Sequence, residues 1–582
     1  MKHRHPQARP ARSIAAAALG LAAGAALVAP AQAGRLPQLG EATPADFVGT
    51  CEDLLARLPA IANTTFTAST TVAAGTLTVA GKPIAEHCRV TGFAYPRVSP
   101  VDGRAYQINF EIRMPKAWNG RFFHQGNGGI DGAVVTATGS FGGGPLTNAL
   151  YQGFAVLSSD AGHPGSIGPA FGLDPQARLD YGYQAVGKLT PVAKSVIAAA
   201  YGKGPDRSYM GGCSNGGRHT LVAAARYADE YDGFLAGAPG FHLPLAALAN
   251  IFGAQRYAMV ATGDPTTPPG LETGLNATER KLLGASVLAR CDGLDGAKDG
   301  LIQNTLLCQR VFSLQRDVPT CAGARDGTCL SQAQKDAIAP IFSGAVTSSG
   351  QPFYAPFFYD NGEGGGGISF WEFTAPLVLD SGAVGTIFKV PPSTAPLTNG
   401  PAFSLGLDID KTLGELYATD ATYTEAAMSF MTPPHEDDMS AVRDRGAKIL
   451  VYQGVSDPIF SLADTEAWYE RVGPGSGGRS DSFVRLYPVP GMGHCSGGPA
   501  TDQADFITPL VNWVERGQAP GAITASARGS GNPGGANADV PTDWAPDRTR
   551  PLCPFPQVAH YSGKGDVERA DSWRCIPEMD RR

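Results

Sequence analysis

From about residue 105 onward, the chain alternates between short apolar runs and longer segments with apolar residues at helical spacing. Runs that are apolar or alternating, and that end in glycine or polar residues, are typical of strands; they are 106–115, 120–129, 153–162, 207–214 and 233–240. Residues 179–202 and 218–231 instead repeat apolar positions every three or four residues, which predicts helices. This alternation predicts a mostly parallel sheet with helices on both faces.

The pattern changes in residues 241–445, which are rich in proline, glycine and polar residues and include the tract NGEGGGG. It then resumes in the order strand, helix, strand, helix, at 447–454, 462–472, 482–491 and 507–517. A chain of 582 residues fits one large domain with an insertion, or two to three domains. We predict the α/β class, with a core built from residues 34–240 and 446–582 and an inserted segment, residues 241–445, between them.

The amino-terminal segment predicts export. Basic residues precede an apolar run at residues 14–28, and small residues follow at Ala31 and Ala33. A signal peptide of residues 1–33 has this order of basic, apolar and cleavage regions. The alternative is a membrane anchor, but the run is shorter than the roughly 20 residues that a span needs. We therefore expect a cleaved signal peptide, a secreted or periplasmic protein, and no membrane association after cleavage.

Composition and charge exclude several classes of function. Hydrophobic residues make up 43% of the chain and charged residues 17%, which is typical of a globular protein rather than a disordered one. The net charge is −7, and no basic tract follows the first dozen residues, so nucleic acid is not an expected partner. The pattern carries no signal of an oligomeric state.

The cysteines are even in number and all lie after the predicted signal peptide. In an oxidising compartment, ten cysteines predict five disulfides and no free thiol. No C-x-x-C pair occurs, so zinc-ribbon and thioredoxin motifs are unsupported. The ten are Cys51, Cys88, Cys213, Cys291, Cys308, Cys321, Cys329, Cys495, Cys553 and Cys575.

Ser214 lies at the centre of a G-x-S-x-G motif, between Gly212 and Gly216. In a nucleophile elbow this serine occupies a sharp turn between a strand and a helix, and the glycines let neighbouring backbone pass close by. The motif alone is weak in a chain with 74 glycines, but a predicted strand precedes it and a predicted helix follows it. We predict that Ser214 is a nucleophile. Cys213 is the alternative, which would need a reduced thiol in an exported protein.

A serine nucleophile needs a base and an orienting acid, and in this architecture the chain order is serine, then aspartate or glutamate, then histidine. Asp457 and His494 each lie in a loop directly after a predicted strand. Parallel sheets present their catalytic loops at these strand ends. We predict His494 as the general base and Asp457 as the acid that orients it. Asp464 is the alternative acid.

Two cysteines flank the predicted catalytic residues, because Cys213 precedes Ser214 and Cys495 follows His494. If the serine and the histidine are within hydrogen-bond reach, the two cysteines are necessarily close. A disulfide needs Cα atoms about 4.4–6.8 Å apart. We therefore predict a Cys213–Cys495 bridge that ties the serine elbow to the histidine loop.

A serine nucleophile that attacks a carbonyl group needs two backbone N–H donors for the oxyanion that forms. One is predicted at Asn215, the residue after the nucleophile, and the other in the loop after an early strand. The loop HQGNGGIDG is the obvious candidate, since Gly126, Gly128 and Gly129 can each turn an N–H inward.

An acidic loop, CDGLDGAKDGLIQN, lies in the inserted segment. Asp292, Asp295 and Asp299 crowd this loop and would repel one another unless a hard cation lay among them. The spacing is not that of an EF-hand. The alternative is a solvated acidic turn.

The sequence resembles the tannase/feruloyl esterase family of α/β-hydrolases, and especially a bacterial branch that includes a terephthalate monoester hydrolase. The resemblance covers nearly the whole mature chain. It is carried by the ordered segments WNGRFFHQGNGG, AFGLDPQARLDYGY, GGCSNGGR, YDGFLAGAPG, CDGLDGAKDG, VPGMGHCSGGP and TRPLCPFPQVAHYSG.

The resemblance implies an α/β-hydrolase core whose inserted segment is a lid domain over the acyl end of the substrate. It implies that Ser214, Asp457 and His494 form the triad, that Gly129 and Asn215 are the oxyanion donors, and that Cys213–Cys495 lies beside the active site. It implies structural Ca²⁺ in the acidic loop and no organic cofactor, with these ligands: Asp292, Asp295, Asp299 and the carbonyls of Ala297 and Leu301. It implies the further disulfides Cys51–Cys88, Cys291–Cys308, Cys321–Cys329 and Cys553–Cys575.

The sequence departs from the terephthalate branch at one point. That branch uses a lid arginine to bind the free carboxylate of its substrate, whereas residues 351–400 contain no arginine and a single lysine, Lys389. Phenolic acyl groups such as feruloyl, coumaroyl or galloyl need no such cation. Aromatic residues of this stretch are candidate walls of an acyl pocket or ordinary lid core: Phe353, Phe357, Phe358, Phe370, Trp371 and Phe373.

These observations favour a secreted serine esterase that hydrolyses small esters of phenolic acids through an acyl-enzyme. The alternative of the same chemistry is an aromatic dicarboxylate monoesterase. A non-catalytic, calcium-stabilised binding module on the same fold is a third hypothesis, which an intact Ser/Asp/His set disfavours.

Overall fold

A nine-stranded mixed sheet organises the fold in a computed structural model that describes residues 36–578. The strands are β1 (Ala45–Asp46), β2 (Thr64–Val72), β3 (Thr78–Val79), β4 (Lys82–Pro83), β5 (His87–Val98), β6 (Ala105–Pro115), β7 (Ala117–Trp118), β8 (Arg121–Gln125), β9 (Ala155–Ser159), β10 (Arg207–Cys213), β11 (Gly233–Gly237), β12 (Lys448–Gly454), β13 (Val484–Val489), β14 (Ile523–Ser526), β15 (Thr549–Leu552), β16 (Gln557–Tyr561) and β17 (Trp573–Pro577).

The order of strands in the main sheet is β13-β12-β11-β10-β8-β9-β6-β5-β2. The pairs from β13 to β9 are parallel, and those from β9 to β2 are antiparallel. The central strands are buried along their length, which explains why they are apolar rather than alternating. The sequence prediction of an α/β fold with a mostly parallel sheet is therefore confirmed.

The α-helices are α1 (Leu54–Arg57), α2 (Pro175–Leu179), α3 (Ala185–Tyr201), α4 (Asn215–Arg226), α5 (Leu243–Ala258), α6 (Pro268–Glu272), α7 (Ala277–Cys291), α8 (Thr305–Val311), α9 (Leu314–Asp317), α10 (Gln332–Phe342), α11 (Gly366–Ser369), α12 (Ala395–Thr398), α13 (Gly400–Leu405), α14 (Ile409–Glu415), α15 (Ala427–Phe430), α16 (Ser440–Arg445), α17 (Leu462–Gly475) and α18 (Ile507–Arg516). Wide π-helical turns add Asp180–Gln184, Phe370–Thr374, Pro376–Asp380 and Ala383–Phe388.

The chain between β11 and β12 contains the helices α5 to α16 and no strand of the main sheet. This matches the break in the alternating pattern of the sequence. The apolar residues of α5 pack with the turn Ala383–Phe388 and with Phe460, which follows β12, in one buried cluster. The inserted chain thus packs over the carboxyl end of β12, where the sequence predicts catalytic loops. The predicted domain boundaries, at residues 240 and 445, stay predictions.

The amino-terminal part of the sheet differs from the sequence expectation. Strands β2 and β5 precede the residue at which the predicted α/β pattern begins, and they pair antiparallel at one edge of the sheet. Helix α4 also begins at Asn215, earlier than the predicted 218–231, because the chain enters the helix directly from Ser214.

Five disulfides are present in the described chain, and no free cysteine accompanies them. They join Cys51–Cys88, Cys213–Cys495, Cys291–Cys308, Cys321–Cys329 and Cys553–Cys575, which are the pairs given in the sequence analysis. Within residues 36–578, no helix has the length and apolar character needed to cross a membrane. The predicted signal peptide lies outside the described residues.

Candidate active site

Ser214 lies between the end of β10 and the first residue of α4, in a strained backbone conformation with φ of 65°. A non-glycine residue at positive φ is uncommon, and such strain is typical of the serine in a nucleophile elbow. Gly212 and Gly216 are required here because a Cβ on either would lie 2.2 or 2.3 Å from the carbonyl oxygen of Gly126. The glycines of the motif therefore let the elbow pack directly against the loop after β8.

Ser214, His494 and Asp457 form a continuous chain of hydrogen bonds. The Ser214 Oγ lies 2.8 Å from His494 Nε2, and His494 Nδ1 lies 2.9 Å from Asp457 Oδ2. In the neutral ring, Nδ1–H donates to Asp457 and Nε2 accepts from the serine hydroxyl. These three residues, far apart in sequence, thus have the arrangement in which the imidazole can take the hydroxyl proton.

Asp457 is held in this orientation by its own loop. Its second oxygen, Oδ1, accepts the N–H groups of Ile459 and Phe460, each at 3.1 Å, and the side chain is fully buried. The alternative acid, Asp464, bonds His242 at 2.9 Å instead, and Glu436 bonds the other nitrogen of that ring. Burial alone would lower the pKa of His242, but the two carboxylates raise it to about 10. Asp464 therefore belongs to a separate ion-pair cluster.

The Cys213–Cys495 disulfide joins the residue before Ser214 to the residue after His494. The Cα atoms lie 6.0 Å apart, and the bridge spans 282 positions of sequence. Cys213 in this structure is therefore not a free thiol, and the alternative of a cysteine nucleophile has no support. The bridge holds the serine elbow and the histidine loop together at the edge of the sheet.

We expect the double variant Cys213→Ala/Cys495→Ala to lose both stability and activity. Removal of a native disulfide typically costs about 2–5 kcal/mol, and here the two loops that it joins carry Ser214 and His494. The unfolding midpoint in urea and kcat on a soluble ester measure the two effects. The control is Cys321→Ala/Cys329→Ala, which opens a bridge between positions only 8 apart. Equal kcat in both double variants would contradict this role of the bridge.

The loop after β8 lies beside the serine and contains Gly129, one of the two predicted oxyanion donors. Gly129 adopts a φ of 62°, which a side chain would disfavour, and it lines the same cavity as Ser214 and Asn215. Asn215 is the first residue of α4, so its N–H has no acceptor within the helix. The two predicted donors thus border the space above the serine.

A buried polar network, which was not predicted from the sequence, fixes the side chain of Asn215. The amide oxygen accepts from Arg218 Nε at 2.7 Å, and the amide nitrogen donates to Asp131. Arg218 is fully buried and also donates to the carbonyls of Tyr181 and Gly182. Burial raises the pKa of Asp131 to about 7, although Arg218 opposes this shift. The sequence does contain one indication of the Asn215–Arg218 contact, because Arg218 follows Asn215 by three positions and the two side chains lie on one helix face.

A largely apolar cavity opens at Ser214. Its walls come from the loop after β8, from α5, from the turns of the inserted segment and from the loop after β12: Gly129, Ile130, Tyr181, Ser214, Asn215, Leu243, Ala247, Trp371, Leu379, Asp380, Ala383, Phe388, Ile459 and Phe460. None of these described wall residues has a positively charged side chain. The free volume of about 30 Å³ holds one or two water molecules, so the walls must separate to admit an aromatic ring.

The aromatic residues of the inserted segment divide into two groups. Trp371 lines the cavity and contacts the His494 ring edge-on, with centroids 4.7 Å apart. Phe388, which the sequence analysis did not single out, is a second aromatic wall. Phe353 and Phe373 pack in the buried clusters of the inserted segment, as ordinary core residues do. Lys389 pairs with Glu415 at 2.8 Å and does not line the cavity.

A second cavity of about 150 Å³ adjoins the other face of the site. Trp371 and His494 line it together with glycines of two loops and with Ser496. Trp371 therefore lines both cavities, with Ser214 in the wall of the first and His494 in the wall of the second. Two larger surface clefts, of about 530 and 720 Å³, contain none of the triad residues in their walls.

The acidic loop after α7 has oxygen donors of the kind that calcium prefers. Burial and the charges of its acidic neighbours raise the pKa of Asp295 to about 8. A bound cation would stabilise the charged form of this carboxyl and offset that effect. However, Arg550 donates to Asp299, and no set of three or more acidic, histidine or cysteine side chains within the described residues is arranged to hold a metal ion. The calcium site therefore stays a prediction.

The sheet is mostly parallel, and its central strand β10 leads through the strained Ser214 directly into helix α4. These features define an α/β-hydrolase. The chain belongs to the tannase and feruloyl esterase family, whose model matches residues 88–576. It is 38% identical to a mono(2-hydroxyethyl) terephthalate hydrolase of Piscinibacter sakaiensis, over 86% of each chain. It is 27% identical to a probable feruloyl esterase B-2 of Neosartorya fischeri, over 81% of this chain and 84% of that one.

Solved structures of feruloyl esterase and tannase have the same fold as this chain. Feruloyl esterase B from Aspergillus oryzae matches with a TM-score of 0.71 at 25% identity, over 90% of this chain and 99% of that one. Tannin acyl hydrolase from Aspergillus niger shares the fold, with a TM-score of 0.64 at 19% identity over 90% and 94% of the two chains. The protein is accordingly a carboxylic ester hydrolase.

Proposed function

We propose that the protein is a secreted serine esterase that cleaves esters of aromatic acids with Ser214, His494 and Asp457 as its triad. The observation that carries this proposal is the hydrogen-bonded chain from Ser214 Oγ through His494 to Asp457. The relatives named as feruloyl esterase and terephthalate ester hydrolase support an aromatic acyl group. An intact triad beside a closed apolar cavity disfavours a non-catalytic binding module.

In the proposed reaction, His494 Nε2 takes the hydroxyl proton while Ser214 Oγ attacks the ester carbonyl carbon. The N–H groups of Gly129 and Asn215 stabilise the oxyanion that forms. When the tetrahedral intermediate collapses, His494 gives its proton to the departing alcohol and the acyl group stays on Ser214. Water, deprotonated by the same nitrogen, then attacks the acyl carbon and releases the acid. Asp457 holds the ring orientation and stabilises the imidazolium in both steps.

The two cavities support an assignment of the two halves of the ester. The apolar cavity borders both predicted oxyanion donors and would take the acyl group. The glycine-lined cavity borders His494, which must protonate the leaving alcohol, and would take the alcohol. Trp371, in contact with the histidine ring, would separate the two groups.

The walls of the acyl cavity favour a phenolic acid over a dicarboxylic one. None of the described wall residues is positively charged, and Lys389 is engaged by Glu415. A free carboxylate in this apolar space would lose its hydration without gaining a cation. The terephthalate monoester hydrolase activity of the bacterial relative is therefore the second candidate, supported by the higher sequence identity.

A panel assay on the purified protein tests the proposed substrate class. We expect measurable kcat/KM on methyl ferulate or methyl gallate and much lower kcat/KM on the mono(2-hydroxyethyl) ester of terephthalate. The Ser214→Ala protein provides the blank for each ester. Efficient cleavage of the terephthalate monoester with both phenolic esters untouched would replace the first candidate by the second.

The proposal also includes export of the protein and a structural calcium ion. Five disulfides are characteristic of an oxidising compartment, and the basic and apolar start of the sequence fits a cleaved signal peptide. A structural calcium ion would bind Asp292, Asp295 and Asp299 with the carbonyls of Ala297 and Leu301. It would neutralise the crowded carboxylates and have no part in the chemistry.

We expect metal analysis of the purified protein to find about one calcium per chain, and chelation with EDTA to lower the Tm by roughly 5 °C. The reason is that an ion bound by the folded state alone stabilises that state. Asp295→Asn should lose the calcium and make the Tm insensitive to EDTA, whereas the exposed Asp336→Asn should behave as wild type. Protein that binds no calcium and shows the same Tm with and without EDTA would contradict the calcium site.

A further inference from the structure

Asp380 is a buried carboxyl group in the wall of the acyl cavity, and the catalytic mechanism above does not use it. It ends the π-helical turn Pro376–Asp380 and is 3% exposed. The remaining walls of the cavity are largely apolar, and the same cavity borders Ser214. An acyl group bonded to Ser214 that entered this cavity as its walls separated would therefore meet Asp380.

Asp380 has few hydrogen bonds for a buried carboxyl. Within the described part of the chain its hydrogen bonding is limited to Asn250 Nδ2, at a long 3.4 Å, and no ion pair involves it. The buried Asp457 and Asp160, by contrast, each accept three hydrogen bonds at 2.6–3.1 Å. A carboxyl that served only the packing of the inserted segment would be expected to have comparable partners.

The surroundings of Asp380 determine what it can bind. Burial raises its pKa to about 7, because no cation offsets the loss of hydration. A neutral or shared-proton carboxyl both donates and accepts, so it suits a hydroxyl group, which also does both. It does not suit a second carboxylate, because two buried anions without a cation would repel each other.

We propose that Asp380, oriented by Asn250, is a specificity-determining residue that binds a ring hydroxyl of the aromatic acyl group. This inference rests on the proposed esterase function, and it narrows the substrate to acyl groups that carry a free phenolic hydroxyl. An ester that lacks the hydroxyl leaves the buried carboxyl without its partner and is discriminated against.

The test compares two esters that differ by one ring hydroxyl, methyl 4-hydroxycinnamate and methyl cinnamate. For wild type we expect kcat/KM for the hydroxylated ester to exceed that for the other by at least about tenfold. In Asp380→Ala the ratio should fall to near one. In Asp380→Asn, whose amide also donates and accepts, the ratio should lie between these values. Asp336→Asn, an exposed carboxylate of the same inserted segment, should keep the wild-type ratio.

Each outcome distinguishes this inference from the function on which it rests. A ratio near one in wild type, or an unchanged high ratio in Asp380→Ala, overturns the role of Asp380 and leaves the esterase in place. Wild-type protein that cleaves neither ester, or a Ser214→Ala protein that cleaves both, overturns the esterase proposal itself. The Tm of each variant identifies any loss of folding. Where Asp380→Ala does not fold, the kcat/KM ratio of the two esters in Asp380→Asn decides the question. A ratio below that of wild type supports the proposal, and a ratio equal to that of wild type overturns it.

Discussion

Replacing Ser214 by alanine is expected to reduce kcat for ester hydrolysis by about a million-fold, to the level that oxyanion stabilisation and binding alone can sustain. The reason is that the variant has no nucleophile, although the cavity, the oxyanion donors and the histidine are still present. The hydroxyl that is lost bonds His494 at 2.8 Å, so the change removes one contact and little volume. Steady-state and end-point assays with a chromogenic ester measure the loss of kcat.

The control for this experiment is Ser195→Ala on helix α3, whose hydroxyl bonds a backbone carbonyl of the same helix. Its kcat should equal that of wild type. The Tm of the Ser214→Ala protein should stay near that of wild type, because alanine would occupy the same strained backbone conformation. Hydrolysis by Ser214→Ala within tenfold of wild type would mean that another residue is the nucleophile.

Replacing Asp457 by asparagine is expected to lower kcat by about ten-thousand-fold. An amide can turn its NH₂ group toward His494 Nδ1, which favours the tautomer with a proton on Nε2 and so removes the acceptor for the serine hydroxyl. The loss also removes the negative charge that stabilises the imidazolium. Because Asp457 Oδ1 accepts two backbone N–H groups, the loop should keep its conformation.

Asp464→Asn is the matched control, since this residue was the alternative acid and lies on the neighbouring helix α17. It bonds His242, so its loss should lower the Tm while kcat on the same ester stays within a few-fold of wild type. A larger loss of kcat in Asp464→Asn than in Asp457→Asn would reverse the assignment of the acid.

The sequence was sufficient to predict the positions of the candidate triad because each of its residues follows a strand of the parallel sheet. Ser214, Asp457 and His494 come after β10, β12 and β13, and the carboxyl ends of parallel strands meet at one edge. The same reasoning placed Cys213 and Cys495 within bonding distance. Local pattern and topology therefore contained the information needed for this part of the site.

The antiparallel edge of the sheet was not predicted because its pattern is weak. Strand β2, TTFTASTTV, is rich in threonine and only partly buried, so it lacks the apolar run that marks the central strands. Its partner β5 is buried in its first half and more exposed toward its end. Strands of this kind are recognised by their pairing, and pairing between distant segments is not visible in a local pattern.

The residues that the sequence analysis missed owe their roles to burial. Asp131 and Arg218 are charged residues whose side chains are buried where the elbow packs against the loop after β8. Asp380 and Phe388 belong to turns of the inserted segment that reach the cavity through tertiary packing. A charged residue is ordinarily a surface residue, so the local pattern did not show that these charged groups are buried, although spacing alone places Arg218 beside Asn215 on α4.

The most direct test of the central proposal, that Ser214 is the nucleophile activated by His494, is to map the site modified by diethyl p-nitrophenyl phosphate. This reagent phosphorylates an activated serine hydroxyl and releases p-nitrophenol. We expect one diethylphosphoryl group per chain, located by peptide mass spectrometry on Ser214, with loss of activity in proportion to the modification. We expect no reaction in His494→Ala. Complete inactivation with Ser214 unmodified, or full modification of Ser214 with activity retained, would contradict the proposal.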